Sequence, residues 1–323
     1  MQGLVTVFGG SGFVGGQIVR ALARGGARVR VAARNPGRGY RLRMLGDVGQ
    51  IEVVQANIRD DASVDRALDG AETCVNAVAV LHESGRQTFE ALHVQGAARV
   101  ARAAAARGIA RFVQVSALGA DAASPSAYAR TKAAGEAAVL DAVPSAAILR
   151  PSTVFGPEDA FFNRFAQMAG LSPALPLIGG GHTLFQPVFV ADLGLAVARA
   201  AFSTQAAGRI FEIGGAQTYS FRELMELMLQ VIQRRRALVP VPFAVAGLLG
   251  QAGDLAARIG LPPPLTSDQV KLLKADNVTS LGAPGLAELG VQASALEPIL
   301  PTYLYRYRPG GQYAEQAAAI AAR

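Results

Sequence analysis

The sequence predicts an α/β protein with a doubly wound parallel sheet and a smaller C-terminal α/β domain. Short apolar runs alternate with amphipathic segments through the first half of the chain, and a glycine-rich turn directly follows the first apolar run. Strands and helices that alternate at this spacing form right-handed crossovers, which cover both faces of a parallel sheet. We expect residues 1–155 to form the layered domain, with its sheet completed by about residues 183–215.

The elements follow in chain order. Strands are predicted over residues 4–8, 29–33, 51–55, 73–77, 112–116 and 146–149, and helices over 13–24, near 86–107 and over 127–142. After Arg150, glycines and prolines interrupt the pattern until 187–201 and 209–213 restore a helix and a strand. Residues 156–182 and 216–323 should form the smaller domain, which would hold a substrate or dock on a partner.

The charge and the composition of the chain exclude several classes of function. Lys and Arg number 31 against 24 Asp and Glu, a net charge of +7 that suits an anionic ligand, an acidic partner or an anionic membrane surface. The basic residues are dispersed, which argues against nucleic-acid binding. One cysteine, Cys74, and three histidines cannot supply a disulfide framework, a zinc site or an iron–sulfur cluster. We therefore expect no metal and no electron transfer through a centre of its own.

Hydrophobic residues make up 51% of the chain, yet no run reaches the roughly 18 to 20 apolar residues of a transmembrane helix. The first strand begins near Gly3, so we expect no signal or transit peptide and a cytoplasmic protein. The apolar segment 240–259, followed by prolines at 262–264, is interrupted by glycines. It could lie on a membrane or a protein partner, or form a core helix of the second domain.

The turn after the first strand contains the consecutive residues Gly9, Gly10, Ser11, Gly12, Phe13, Val14 and Gly15, and it opens a helix. Gly9 permits the tight turn, Gly12 lets the backbone approach a pyrophosphate, and Gly15 allows the helix to pack closely on the strand. The helix N-terminus faces the phosphate charge. This context predicts a Rossmann-type dinucleotide site.

Arg34 occupies the position, about 20 residues past the glycines, where an acidic side chain usually binds the ribose 2′-hydroxyl of NAD. A guanidinium pairs well with a 2′-phosphate, so we predict NADP(H); the alternative is a solvated loop charge. Asn57 and Ile58 should flank the adenine. The predicted nucleotide contacts also include Asn76, Ala77, Arg150 and Pro151.

Tyr128 and Lys132 lie four residues apart on one face of a predicted helix, and Ser116 closes the fifth strand. Here the sequence resembles the short-chain dehydrogenase/reductase superfamily, in which Tyr-x-x-x-Lys and an upstream Ser form the reaction centre. The resemblance implies that Lys132 holds the nicotinamide ribose, Ser116 binds a substrate carbonyl and Tyr128 exchanges a proton. The charge of Lys132 should lower the tyrosine pKa from about 10. The same side chains also bind cofactor, so they do not establish turnover.

Two other residues draw attention. His93 stands where many extended members of that superfamily carry Asn, and we expect it to be a half-buried structural histidine. Cys74, within the fourth strand, should be a small core residue, since no basic neighbour activates it.

Later motifs resemble the extended and atypical branches of the superfamily: LRPSTVFGP at 149–157, VFVADL at 188–193 and FEIGG at 211–215. The stretches LTSDQVKLLKADNV at 265–278 and LPTYLYRYR at 300–308, with FGPEDAFFN at 155–163, resemble bacterial relatives of the NADPH-binding accessory subunit of respiratory complex I, NADH:ubiquinone oxidoreductase. The resemblance runs from Gly3 to about Gly311. In that family the nucleotide is a structural element, remote from the redox chain.

The resemblance implies an accessory subunit that stabilises or assembles complex I without electron transfer. It would dock peripherally on the cytoplasmic face of the bacterial inner membrane, beside other complex I subunits, through residues 240–259 and 268–278. The alternative is a free-standing NADP-dependent reductase or epimerase that uses Ser116, Tyr128 and Lys132. A third possibility, an NADPH-sensing regulator, requires a partner that nothing in the chain names.

Overall fold

The computed structural model describes residues 2–258, 263 and 265–313. The first half contains β1 (Gln2–Phe8), α1 (Phe13–Arg24), β2 (Ala27–Ala33), β3 (Ile51–Gln55), α2 (Asp61–Leu68), β4 (Thr73–Asn76), α3 (Gln95–Ala106), β5 (Arg111–Val115), α4 (Ala127–Ala142) and β6 (Ala147–Pro151). The second half contains β7 (Val154–Phe155), α5 (Phe162–Leu171), β8 (Ala174–Ile178), β9 (Leu184–Phe185), β10 (Val188–Phe189), α6 (Val190–Phe202), β11 (Ile210–Ile213), β12 (Tyr219–Ser220), α7 (Phe221–Val231), β13 (Ala237–Val241), α8 (Phe243–Arg258), α9 (Ser267–Leu272) and α10 (Pro301–Leu304).

Seven parallel strands form the central sheet in the order β11-β6-β5-β4-β1-β2-β3. This order confirms the predicted Rossmann-type doubly wound sheet, and the chain reverses direction across it between β1 and β4. Val5 and Val7 of β1 pack in one apolar cluster with α1 and α6, whereas Phe8 packs with α2, α3 and α4 on the opposite face. Because both faces are covered, apolar residues predominate in the strands, although the edge-side strands keep polar positions such as Arg28 and Arg30 of β2 and Glu52 of β3.

The ends of several helices and strands differ from those predicted from the sequence. The fifth strand ends at Val115, which leaves Ser116 in the following loop. The helix predicted near 86–107 begins only at Glu90, with a π-helical turn over Glu90–Val94, because residues 84 and 87 bond to each other as a tight turn. The helix predicted from residue 187 begins at Val190, since β10 occupies the two preceding residues. Helix α2 was not predicted; Asp60 caps it by accepting from the Ala62 amide.

The C-terminal part builds its own core from α5, α7 and α10, beside the parallel pair β8 and β13. Two stretches that carried the resemblance meet here. The Tyr303 hydroxyl donates to Asp159 Oδ2 at 2.6 Å, and the Tyr307 hydroxyl donates to Asn163 Oδ1 at 3.1 Å. Asp159 also accepts from the Gly156 amide at 3.0 Å and the Asn163 amide at 3.1 Å. These hydrogen-bond donors oppose the effect of burial, which raises the pKa of Asp159.

Helix α8 covers most of the apolar segment 240–259. Ala246 is buried, whereas Leu248, Leu249 and Leu255 are each more than half exposed, so the helix is neither a core helix nor a fully solvated one. Its length and composition fall short of a bilayer span, as do those of every other helix within the described ranges. Ile259, Pro262 and Pro264 of the predicted segment lie outside the described residues.

The buried bond between Tyr303 and Asp159 should stabilise the C-terminal core. Replacing Tyr303 by Phe leaves a buried carboxylate oxygen with one donor fewer, so the free energy of unfolding should fall by about 1–3 kcal/mol in urea denaturation. Tyr305, which is 38% exposed, provides the control: Tyr305→Phe should change stability little. Equal effects of the two substitutions would contradict the assignment.

Candidate functional site

The predicted nucleotide and reaction-centre residues lie along one edge of the sheet. Gly9 follows β1, Arg34 follows β2, Asn57 comes shortly after β3, Ala77 follows β4 and Ser116 follows β5. Because the strands are parallel, their carboxyl ends share this edge. The reversal of strand order between β1 and β4 opens a crevice there, which is where open α/β sheets bind ligands.

The glycine-rich loop is packed too tightly for side chains at two of its positions. Gly9 adopts φ of 77°, and a Cβ there would lie 2.9 Å from the Ala77 carbonyl carbon. A Cβ on Gly15 would overlap the Gly9 carbonyl oxygen, so glycine is needed where α1 crosses the loop. Gly12 is the N-cap of α1, and no side chain caps this end of the helix. Its first amides are therefore directed to a ligand or solvent.

The adenosine-side residues have different surroundings. Arg34 is exposed, and its Nη1 donates to Gln87 Oε1 at 2.6 Å. Asn57 Oδ1 accepts from the Arg59 amide at 3.1 Å, which shapes the loop after β3. Ile58 is buried beneath Gly96 of α3. The structure thus brings Arg34 to the loop after β4 and leaves its guanidinium accessible.

Asn76 is fully buried at the end of β4. Its Nδ2 donates to Gln114 Oε1 at 2.9 Å, and its Oδ1 accepts from the Val78 amide at 3.2 Å. The side chain therefore joins β4 to β5 and fixes the backbone at Ala77, the residue that contacts the glycine loop.

Ser116 and Lys132 lie close to each other at the end of β5, and Tyr128 lies one turn before Lys132 on α4. Lys132 is buried in α4, and its Nζ donates to the carbonyl of Val115, the residue before Ser116, at 2.9 Å. Ser116 Oγ is buried and has no hydrogen-bond partner among the residues that the structure covers. A buried hydroxyl without a partner is costly, so the Ser116 hydroxyl is available to form a hydrogen bond with a ligand.

The pKa of Tyr128 contradicts the sequence prediction. We predicted that Lys132 lowers it; instead burial raises it to about 12. The physical reason is the surroundings of the ring, which packs edge-on against Phe89 at 5.7 Å and against His93 at 5.3 Å between ring centroids. Lys132 donates to a backbone carbonyl rather than to the phenol. The phenol is therefore a proton donor at neutral pH.

A buried charge network lies below the tyrosine. Burial lowers the pKa of Lys132 to about 8, and the nearby Glu136 carboxylate opposes this shift. Glu136 accepts a two-pronged bond from Arg150, with Nη2 at 2.6 Å and Nε at 3.0 Å. The guanidinium of Arg150 is therefore paired with a carboxylate of α4. Pro151, the other predicted residue of β6, is buried, and its carbonyl accepts from the Leu118 amide at 2.8 Å.

His93 is more buried than we expected from the sequence. Its Nε2 accepts from the Val80 amide at 3.2 Å, so Nδ1 carries the proton toward Thr131 Oγ1, also at 3.2 Å. Burial and the charge of Lys132 lower its pKa to about 3, so the imidazole is neutral. A neutral ring can pack against Tyr128 and fix its position. In the sequence, His93 was noted only because many extended members of the superfamily have Asn at this position.

Asp268 is a site residue that the sequence did not identify. Its carboxylate accepts from the Ser126 hydroxyl and the Ala127 amide, both at 2.7 Å, and from the Tyr128 amide at 3.1 Å. A carboxylate at a helix N-terminus is stabilised by the amides and the helix dipole. We expected residues 268–278 to contribute to docking, but Asp268 is used internally, as is Asn277, whose Oδ1 accepts from the Thr153 amide at 2.7 Å.

The described part of the chain contains neither a group of side chains that could bind a metal ion nor a reactive thiol. No three His, Cys, Asp or Glu side chains there are grouped so that they could hold a metal ion. Cys74 is fully buried in β4, and burial raises its pKa, which keeps the thiol unreactive.

The geometry fits a dinucleotide. The glycine loop leaves room for a backbone approach, the N-terminus of α1 is uncapped, and Ser116 has an unsatisfied hydroxyl. The chain belongs to the NAD dependent epimerase/dehydratase family, which it matches over residues 5–214. This confirms the superfamily resemblance seen in the sequence.

Individual relatives refine this placement. The mitochondrial NADH dehydrogenase [ubiquinone] 1 alpha subcomplex subunit 9 of Arabidopsis thaliana is 35% identical over 96% of this chain and 80% of its own length. A ceramide reductase of Caulobacter vibrioides is 38% identical over 55% of this chain and 54% of its own length. In fold, the NADPH complex of an NADPH-dependent quinone oxidoreductase from Escherichia coli matches with a TM-score of 0.72 at 19% identity, covering 92% and 99% of the two chains.

The buried Lys132 should make stability depend on pH. Between pH 8 and 10 the unfolded chain holds the lysine proton while the folded chain releases it, so the contribution of Lys132 to the free energy of unfolding should rise with pH. The slope from this group is at most about 1.4 kcal/mol per pH unit. Urea titrations should show that Lys132→Met removes this contribution and that the exposed Lys271→Met does not. Identical slopes for all three proteins would contradict the assignment.

Proposed function

We propose that this protein is a nucleotide-binding accessory subunit of respiratory complex I that stabilises or assembles the complex without taking part in electron transfer. The observation that carries the proposal is the match to the Arabidopsis subunit, which extends over nearly the whole chain rather than the nucleotide domain alone. In the structure the C-terminal stretches are integral, since Asp268 caps α4 and Tyr303 bonds to Asp159.

We propose NADP(H) as the bound nucleotide. Arg34 supports this choice, because its exposed guanidinium follows β2 where a 2′-phosphate would need a cation. The residues that would hold the nucleotide are the loop Gly9 to Gly15, Arg34, Asn57, Ile58, Asn76, Ala77, Tyr128 and Lys132, with Arg150 and Pro151 behind them. When bound, the nicotinamide would supply hydride chemistry. In an accessory subunit the same binding would instead stabilise the fold by mass action.

We propose that the protein lies peripherally on the cytoplasmic face of the membrane that contains the complex. The exposed leucines of α8 are suited to bury apolar surface against a partner subunit. The net charge of +7 would favour contact with anionic lipid headgroups at the same boundary.

A free-standing reductase is the second candidate. Ser116, Tyr128 and Lys132 are all present, the Ser116 hydroxyl is unsatisfied, and Tyr128 holds its proton at neutral pH. The ceramide reductase relative is 38% identical to this chain over 55% of its length. In this function Ser116 would bind a substrate carbonyl and Tyr128 would protonate the developing oxyanion.

Affinity purification separates the two functions. A tagged chain isolated from detergent-solubilised membranes of its host should bring complex I subunits with it, since a subunit remains bound through its interface. The Tyr128→Phe variant should also copurify and support nearly normal NADH:quinone turnover. Recovery of the tagged chain only as a soluble particle free of complex I subunits would reject the proposal. Loss of a measurable reductase activity in the variant would favour the second function.

The preference of the protein for NADPH over NADH tests the proposed role of Arg34 in binding the 2′-phosphate. The protein should bind NADPH more tightly than NADH, and Arg34→Glu should weaken NADPH binding by about ten- to hundredfold, because a charge-assisted bond is replaced by repulsion. Fluorescence titration of both nucleotides measures the effect. Arg24→Glu, at the opposite end of α1, is the control and should leave both affinities unchanged. Equal affinities of the unmodified protein for the two nucleotides would refute the choice of NADP(H).

A further inference from the structure

Asp268 connects the C-terminal part of the chain to the helix that carries Tyr128. It lies in the first turn of α9, and its carboxylate accepts from the Ser126 hydroxyl, the Ala127 amide and the Tyr128 amide at the start of α4. Ser126 Oγ in turn accepts from the Ala129 amide at 3.3 Å. Because the first amides of a helix have no acceptor within the helix, Asp268 supplies two of the acceptors that α4 requires.

The bonds of Asp268 act on the predicted reaction centre through α4. Among the described residues of α8 and α9, Asp268 alone forms hydrogen bonds to residues 1–155. Lys132 follows one turn after Tyr128 and donates to the Val115 carbonyl. A carboxylate that accepts helix-terminal amides stabilises the first turn, here the turn that contains Tyr128. Asp268 is therefore a positioning residue of the nucleotide site.

Helices α8 and α9 are joined so closely that they should move as one unit. Asp254 of α8 accepts from the Ser267 amide at 3.2 Å and also from the Ser267 hydroxyl. A Cβ on Gly250 would lie 2.7 Å from the Ser267 amide nitrogen, and a Cβ on Gly253 would overlap the Leu265 carbonyl oxygen. This contact of helix on backbone leaves little room for either helix to shift alone.

The α8–α9 unit has a small apolar core. The buried members of this core are Ile178, Ala246 and Val270, whereas Leu248 of α8 is exposed. Segments that bury little apolar surface separate from the rest of a native protein at a low cost in free energy. The three bonds of Asp268 are therefore a substantial part of the interaction that holds this unit against α4.

We propose that Asp268 couples nucleotide binding to the packing of the α8–α9 unit, so that each strengthens the other. A nucleotide held by Tyr128 and Lys132 favours the ordered first turn of α4, and that turn retains Asp268 and the unit to which it belongs. By reciprocity, a contact that fixes α8, such as burial of its exposed leucines against a partner, raises the affinity for the nucleotide by the same factor. The inference rests on the proposed nucleotide binding but not on membership of complex I.

Hydrogen–deuterium exchange of the purified full chain measures one side of the coupling. NADPH and NADH are each titrated, and the tighter-binding nucleotide is added at about a hundred times its Kd. Exchange of the backbone amides of α8 and α9 should slow about tenfold, the factor expected for one charge-assisted hydrogen bond, together with exchange in the glycine-rich loop. Slower exchange in the loop with unchanged exchange in α8 and α9 would overturn the proposal.

Asp268→Asn measures the other side. The amide keeps the shape of the side chain but loses its charge and one acceptor oxygen, so the Kd of the nucleotide should rise about tenfold. Saturating nucleotide should still slow exchange in the glycine-rich loop but no longer in α8 and α9. A purely structural role would instead lower the melting temperature and leave the nucleotide dependence of exchange in place.

Asp276→Asn is the matched control. Asp276 also accepts a backbone amide, that of Leu184 at 2.8 Å, but this bond lies within the C-terminal part of the chain. The control should leave the Kd and the exchange of α8 and α9 unchanged, and equal Kd values for the two variants would contradict the coupling. The exchange measurement on the unmodified protein decides the question even if Asp268→Asn does not fold.

The outcomes separate this proposal from the proposed function. Binding of neither nucleotide would reject the nucleotide site and the coupling together, whereas binding without slower exchange in α8 and α9 would reject the coupling alone. Copurification with complex I subunits bears on neither result.

Discussion

Parallel pairing of seven strands is the constraint on which this structure depends. It places the carboxyl ends of all of them at one edge of the sheet, so that the loops after β1, β2, β3, β4 and β5 converge although they are far apart in sequence. Close packing at Gly9 and Gly15 then sets α1 directly against that edge. The topology therefore creates a site for a large anionic ligand, and the individual side chains determine which ligand binds there.

Burial decides the protonation of the groups beneath this edge. Burial raises the pKa of Tyr128 and lowers the pKa values of His93 and Lys132. In each case the neutral form of the side chain is favoured. Of the three groups, Lys132 has the pKa nearest to neutrality, about 8, because burial lowers it from 10.5 and Glu136 only partly opposes that shift. The result is a neutral aromatic cluster above a single titratable ammonium, an arrangement compatible both with holding a nucleotide ribose and with proton donation.

The C-terminal third joins the nucleotide half through a few polar bonds between distant residues. Asp268 caps α4, Asn277 bonds to Thr153, and Tyr303 bonds to Asp159. A bound nucleotide would therefore stabilise the C-terminal third as well as its own site. Such coupling suits a subunit whose function is to present a fixed surface, and the exposed leucines of α8 lie on the segment that this third adds.

The strand positions, the glycine loop and the Tyr-x-x-x-Lys pair could be predicted from the sequence, because apolar periodicity and tight turns are properties of neighbouring residues. Spacing alone could not show that Lys132 binds the Val115 carbonyl, that the Tyr128 pKa rises, or that Asp268 caps α4 from 140 positions away. These depend on which surfaces exclude water and which distant backbone amides remain unpaired. Local residue patterns are thus sufficient to predict a doubly wound fold with a dinucleotide loop. The protonation states and hydrogen-bond partners of the site arise from packing, since desolvation and long-range hydrogen bonds exist only in the folded chain.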